Sequence, residues 1–460
     1  MSARCRSLRQ HGIICQRLNN AWAVSFRSVA APVGSMLSWV PRPPGTVHHS
    51  PGASVSRIVF VSPEGALFTI DPATGELPRP LMGGSGTPSG AAGRQGPRRV
   101  NFDVAYAWPT WSPDGAKLAV SQVRVLDGQA EMSIQAVEAA TGRSRALYTN
   151  SAPGMVAEGS PHYLYWSPDS RSLAFLAPSA EGLALLVQDL DPAAGGPVMV
   201  AQGAPLFFQW ASDSRALLLH HSEDLLLVQR PFDDPASRRL LAAGQGYRTP
   251  AFSPDAQRIA YASPTPAGAS VMAAQLTPRF DPQPLLAAGS QCAFAWSPDG
   301  RELAVADQED SNVPGFARLR IVPAAGGPAR TVTTEPMLAF FWAPDGRRIA
   351  WIGLDLSEQR FECKVAPTVP PLPAPAQSLF RFQPSADLFT MLSFFDQYAY
   401  SHSLWSPDGA RLVVTGTRQM VSARRNGHTP SGDKVYLLDA SAAAEPRELG
   451  YGSLAFWEWK

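Results

Sequence analysis

The pentapeptide WSPDG stands at residues 111–115, 296–300 and 405–409, and four near-copies share its shape: WSPDS at Trp166, WASDS at Trp210, FSPDA at Phe252 and WAPDG at Trp342. The spacings are 55, 44, 42, 44, 46 and 63 residues. Seven copies at a period in the forties restrict the chain to an array of equivalent units, a propeller or a solenoid. A length of 460 residues, too great for one compact core, fits such an array.

Each copy is followed by a strand-length apolar run, such as KLAVSQ (117–122), SLAFLA (172–177) or RIAWIG (348–353). A second run follows, then a small-residue turn such as AATG (139–142), then a short final strand. None of these runs keeps a helical apolar period. The pentapeptide reads as a hairpin turn: proline presets φ, aspartate suits the next position, and Gly, Ser or Ala closes it. Asp114, Asp169, Asp213, Asp255, Asp299, Asp345 and Asp408 are therefore structural turn residues, because a catalytic or metal-binding group would not recur in every unit. The aromatic before each turn is expected between neighbouring units. Four antiparallel strands per unit, A to D, define an all-β fold, the β-propeller. The 44 prolines and 37 glycines supply the punctuation such short strands need.

The termini complete the count. Residues 57–81 carry B, C and D strands without an A strand, and SLAFWEWK (453–460) is an A strand that stops where its turn belongs. Pairing the C-terminal strand with the N-terminal unit closes the ring and removes an exposed edge. This predicts eight blades, or seven if a divergent unit such as that of Trp210 is incomplete. Residues 56–460 form one propeller domain with a partly helical insertion near 383–403. Residues 1–55 contain no Asp or Glu, carry several arginines and break every apolar stretch with polar residues. They read as a disordered basic tail, which points to the cytoplasm; export or the periplasm is the alternative.

Stretches such as PTWSPDGAKLAV (109–120) and FAWSPDGRELAV (294–305) resemble the WD-like propeller repeats of the TolB family, over roughly residues 57–460. The resemblance implies the propeller fold and a partner segment inserted into its funnel. It does not extend to a TolB-type amino-terminal domain, and the G-x-S-x-G elbow of propeller-bearing hydrolases does not occur.

Composition narrows the function further. Net charge is +1, from 39 basic and 38 acidic residues, so no global field favours nucleic acid. No apolar run reaches transmembrane length. Cys5, Cys15, Cys292 and Cys363 show no metal or disulfide spacing. Asp307, Glu309, Asp310 and Asn312 lack the glycine and bidentate Glu of an EF-hand. No cofactor and no metal ligand set is expected.

Strand direction places A–B and C–D turns on one face, and B–C and D–A loops on the other, where the irregular segments fall. The insertion QPSADLFTMLSFFDQYAYSHS (383–403) predicts a short helix capped by Ser385 with Asp387 in its first turn. Leu388, Leu392 and Phe395 share one side of it, joined by Phe389 and Met391. It either roofs the channel and grips a partner, or packs on the adjoining blades. The channel mouth collects His162, Tyr163, Arg248 and His402, and a basic loop carries Arg418, Arg424 and Arg425. These are the candidate partner- or ligand-binding residues; no catalytic constellation stands out. The reading is a monomeric, non-enzymatic platform that binds an unidentified protein partner through the B–C/D–A face and the channel mouth. The alternative is a small-molecule or metal-dependent hydrolase or lyase at that mouth.

Overall fold

In the computed structural model, the described residues are 13–18, 21–26 and 56–459, apart from 84–103, 127–128, 151–154, 157–160, 181, 244–248, 309–314, 356–357, 359, 370–371, 419–431 and 442–443. Of the expected tail, only a hairpin of Ile13–Leu18 with Ala21–Phe26 lies among them. The rest is all-β: six four-stranded sheets and one of seven strands, antiparallel throughout, with few helices. Except where the C-terminal strand joins the sheet of Ile58–Val61, strand order within a sheet follows chain order, as in Tyr163–Trp166, Ser172–Ser179, Gly182–Asp189 and Val198–Gln202. Each sheet is named below by its turn aromatic.

The middle of the strand after each turn is buried because sheets cover both of its faces; Leu173, Phe175, Leu217, Leu219, Val305 and Ile349 are fully enclosed. Burying one such side chain stabilises by about 1.5–3 kcal/mol. Pairing between the third and fourth strands slips by one residue in every unit, for example at Leu185/Leu186 and Leu225/Leu226. Such bulges increase local twist, which open sheets stacked around an axis require.

The turns show why the pentapeptide recurs. Each of the seven aspartates accepts a hydrogen bond through Oδ1 from the backbone N–H two residues on, from Ala116 at Asp114 to Ala410 at Asp408. Where serine precedes, its hydroxyl donates to the same carboxylate, at 2.6 Å for Ser112–Asp114. The serine hydroxyls and neighbouring backbone N–H groups hold Asp255 and Asp299 below the ordinary carboxylate range. At Asp408 burial opposes the same bonds and is outweighed. The fifth position is left-handed in every copy, with φ of 68° at Gly115 and 62° at Ser170. Glycine suits it without strain; Ser170 and Ser214 each accept instead from the Asp N–H of the preceding unit's turn.

The turn aromatics stitch neighbouring sheets together. The indoles of Trp166, Trp210, Trp296, Trp342 and Trp405 donate to the carbonyls of Thr110, Tyr165, Ala251, Ala295 and Phe341. Each acceptor immediately precedes the aromatic of the unit before. The Phe252 ring has no N–H to give, and there the Gln209 side-chain oxygen accepts from the Phe252 backbone N–H.

At the termini, Leu454–Trp457 pairs with Ile58–Val61, Ile58 opposite Trp457 and Val61 opposite Leu454. Arg57 binds Glu458 at 2.9 Å, donates to the Gly115 carbonyl at 2.8 Å and lies over the Trp111 ring. The terminal sheet is thereby fastened to the Trp111 sheet.

The seven-stranded sheet spans two units, and its second lacks a full inner strand. Strand Arg411–Arg418 is edged at one end by Phe382–Pro384 and at the other only by Trp405, opposite Leu412. The Ser385 N–H donates to the Thr415 carbonyl and the Val413 N–H to the Leu404 carbonyl. The segment between, 386–402, is thus looped out of an inner-strand position, which delivers it to the axis of the array. Among the described residues no helix is long and apolar enough to cross a membrane.

Candidate functional site: the axial insertion

The looped-out segment forms helix α1 (Ala386–Ser393) and one further turn, α2 (Phe395–Tyr398). The Ser385 hydroxyl accepts from the Leu388 N–H and caps α1, with Asp387 in the first turn. Leu388, Met391, Leu392, Phe395 and Tyr398 are buried, whereas Phe394, at the kink, is exposed.

This short segment touches inner residues of units all around it. Tyr398 packs on Trp108 and Tyr163, with ring centroids 4.9 and 4.8 Å apart. Phe395 meets Phe316 and Phe340 edge-on, and Phe389 meets Phe361. The Gln397 amide donates to the Phe208 carbonyl at 2.7 Å and accepts from the Phe208 N–H at 3.2 Å, replacing the strand that this inner edge lacks. The Thr249 N–H reaches Asp396, and His402 lies 4.6 Å from Phe456 of the terminal sheet. The segment is an axial plug, reaching well beyond the adjoining sheets.

Two of the candidates at the channel mouth, His402 and Tyr163, are built into this plug or its seat. His402 is buried; Nδ1 lies 2.7 Å from the Ser401 hydroxyl and Nε2 2.9 Å from that of Thr110. The Tyr163 hydroxyl donates to the Gln397 carbonyl and lies 3.0 Å from Ser401. His162, just before strand Tyr163–Trp166, is buried with Nδ1 2.9 Å from Ser121. Burial pushes His162 down to about 4 and His402 to about 3, so both imidazoles are neutral at pH 7. Burial likewise drives the Tyr163 phenol well up. In this structure the three side chains are buried, and each has a hydrogen-bonding neighbour.

The other candidates do not join them. Arg418 is exposed, pairs with Glu445 and lines a groove of about 360 Å³ with Phe380, Arg381 and Pro446. Arg248, Arg424 and Arg425 lie outside the described residues. Asp307 is fully buried between Arg318 and Arg320 and takes the Gly289 N–H. Burial alone would raise its carboxyl, but these donors hold it below the usual range. Among the described residues, no three His, Cys, Asp or Glu side chains gather as a metal site.

Sequence reasoning missed Trp108, Thr110, Asp396, Gln397 and Ser401. Trp108 takes φ of 56°, a left-handed conformation rare for a bulky residue, inside a strand that slips between Ala107 and Thr110. The signal that was present is the pair Asp396–Gln397 set among aromatics in FFDQY, where polar side chains must find partners within an apolar segment.

No family model matches the chain, and no curated protein matches it. Among solved structures it is similar to the dihydro-heme d1 dehydrogenase NirN, at 13% identity and a TM-score of 0.53, over 87% of this chain and 75% of that one. It is similar also to a eukaryotic initiation factor, at 12% identity and 0.51, over 88% of this chain and 99% of that one. At such identities the likeness concerns fold alone, and it agrees with an all-β array of β-propeller type. TolB from Acinetobacter baumannii aligns at 14% identity over 74% of this chain and 82% of its own, with a TM-score of 0.38, which carries no argument.

Proposed function

We propose that this chain is a non-enzymatic protein-binding platform, an eight-bladed ring closed by its terminal strands, with the B–C/D–A loop face as its docking surface. The observation that carries this reading is the plug. Its buried face fills the axis with apolar side chains and engages Tyr163 and His402, while Phe394 remains at the surface. An aromatic presented on a rigid support is the usual anchor of a protein interface. A hydrolase or lyase at the channel mouth would need His162 and His402 free to exchange protons. A cytoplasmic, monomeric protein belongs to the same proposal and rests on the amino-terminal composition.

The test is crosslinked affinity capture from native cells, comparing wild type with Phe394→Asp and Arg418→Glu, each verified by circular dichroism. Both substitutions lie at the surface; deleting 385–398 would instead remove core residues. The proposal expects Phe394→Asp to lower recovery of the dominant partner by about tenfold, with crosslinks falling in 307–318, 383–403 or 418–434. Equal recovery by the folded variants overturns this docking surface. The identity of the partner reports the compartment.

A further inference from the structure

Trp108 stands where glycine would be expected. Ala107 pairs with Ser121 and Thr110 with Ala119, so Trp108 and Pro109 together oppose Val120 as a bulge. The φ of Trp108 is 56°. A bulge residue in the left-handed region is ordinarily glycine, because a Cβ crowds the backbone there. Pro109 adds a second clash, since a proline drives the residue before it toward extended backbone. Strain of this kind persists only where surrounding contacts impose it. Here the plug supplies them. The Trp108 indole packs on Tyr398 at 4.9 Å and meets His402 edge-on at 6.4 Å, centroid to centroid. The Thr110 hydroxyl donates to the Trp108 carbonyl at 3.3 Å and lies 2.9 Å from His402 Nε2.

The plug is fastened firmly at its ends. Ser385 bonds the Thr415 hydroxyl and the Ser453 carbonyl. At the other end the Ser403 carbonyl accepts from the Trp457 N–H and the Leu404 carbonyl from the Val413 N–H. Its polar seat between these points is poorer. Among the described residues the buried Asp396 side chain has one hydrogen bond, from the Thr249 N–H at 3.4 Å. The enclosed Thr249 hydroxyl has no partner. An unmet buried polar group disfavours the packed state.

We infer that the plug is a strap that lifts from the axis as one unit, hinged at Ser385 and Ser403, and that Trp108 is its loaded latch. In the closed form Tyr398 and His402 hold Trp108 left-handed; in the open form Trp108 returns to extended backbone. The strain exists only in the closed form, so it brings the open form closer in free energy. Opening releases the Phe208 N–H and carbonyl from Gln397 and bares the inner edge of strand Leu206–Trp210 to the axis. The strap controls access to the axis and does not depend on the platform reading.

Native-state hydrogen exchange of the full chain in low urea, resolved by mass spectrometry, tests both parts. Corrected for intrinsic rates, 386–402 should exchange at least about tenfold faster than strands Ser172–Ser179 and Arg348–Asp355. Exchange no faster than in those strands overturns the strap. Pro109→Ala removes one clash and keeps the indole. It should slow exchange in 386–402 about fivefold. The urea midpoint of the whole chain should stay level or fall, because losing a proline loosens the unfolded chain. Unchanged or faster exchange of 386–402 in the folded variant overturns the latch, since a merely structural proline would speed exchange there when lost. A second measurement does not need that variant. In the chain labelled with 13C-tryptophan, the Trp108 Cα chemical shift, assigned with Trp108→Phe, should report left-handed backbone. In Tyr398→Ala it should move to the extended range. A left-handed Trp108 in folded Tyr398→Ala overturns the latch as well.

Discussion

His162 and His402 show how burial turns a titratable residue into a structural one. Each has its folded pKa below the usual histidine value, to about 4 and about 3. The unfolded chain therefore binds protons first as pH falls. The stability each contributes is complete above about pH 6.5 and declines below it toward the folded value. Between pH 7 and pH 4.5 each should cost about 2.5 kcal/mol. Urea midpoints across this range check the sign: His402→Asn should flatten the acid limb, and an unchanged limb would show that the imidazole titrates freely in the folded protein. Asp387 and Asp433 have the opposite sign. Burial raises both, and Asp433 is raised further by the charge of Asp387. Their neutral forms stabilise the fold in acid, and that contribution fades as pH rises through their folded values. Asp433→Asn should therefore raise Tm at pH 7, with a smaller gain at pH 4; a lower Tm at pH 7 would contradict the sign.

At the scale of elements, the strands were legible because their pattern is local. A short run of Val, Leu, Ile and aromatics between turn residues specifies a strand whatever surrounds it. The helix cap was equally local: Ser385, Asp387 and the apolar spacing foretold α1. What the plug touches was not legible, since Trp108, Tyr163, Phe208, Thr249, Phe340 and Phe456 are far from it in sequence. Ser385 joins both levels, capping α1 while bonding the Thr415 hydroxyl at 2.9 Å and the Ser453 carbonyl. Ser385→Ala should destabilise by about 1–2 kcal/mol. Hydrogen exchange should locate the loss in 386–402 and the adjoining strand Arg411–Arg418; a loss of protection elsewhere would place the effect outside the cap.

For the whole molecule, strand Ile58–Val61 and the last strand, Leu454–Trp457, meet in one sheet, held by Arg57, Glu458 and the Trp111 ring. Removing 453–460 would expose the edge of Ile58–Val61 and leave the Trp111 sheet uncovered on one side. The truncated chain should lose its sharp single melting transition and self-associate in size-exclusion chromatography. An unchanged Tm in a monomeric truncated chain would show that the array is held without this pairing.

The sequence by itself determined the unit, its four strands, its turns and their aspartates, because each depends on residues within a few positions of one another and was written seven times. It also marked the segment that departs from the repeat. The tertiary structure decided where that segment goes and what His162, Tyr163, His402 and Asp396 face. The physical reason is that burial and hydrogen-bond partners arise where strands distant in sequence converge on one axis. A histidine reads the same whether it lines an open mouth or is sealed beneath a helix.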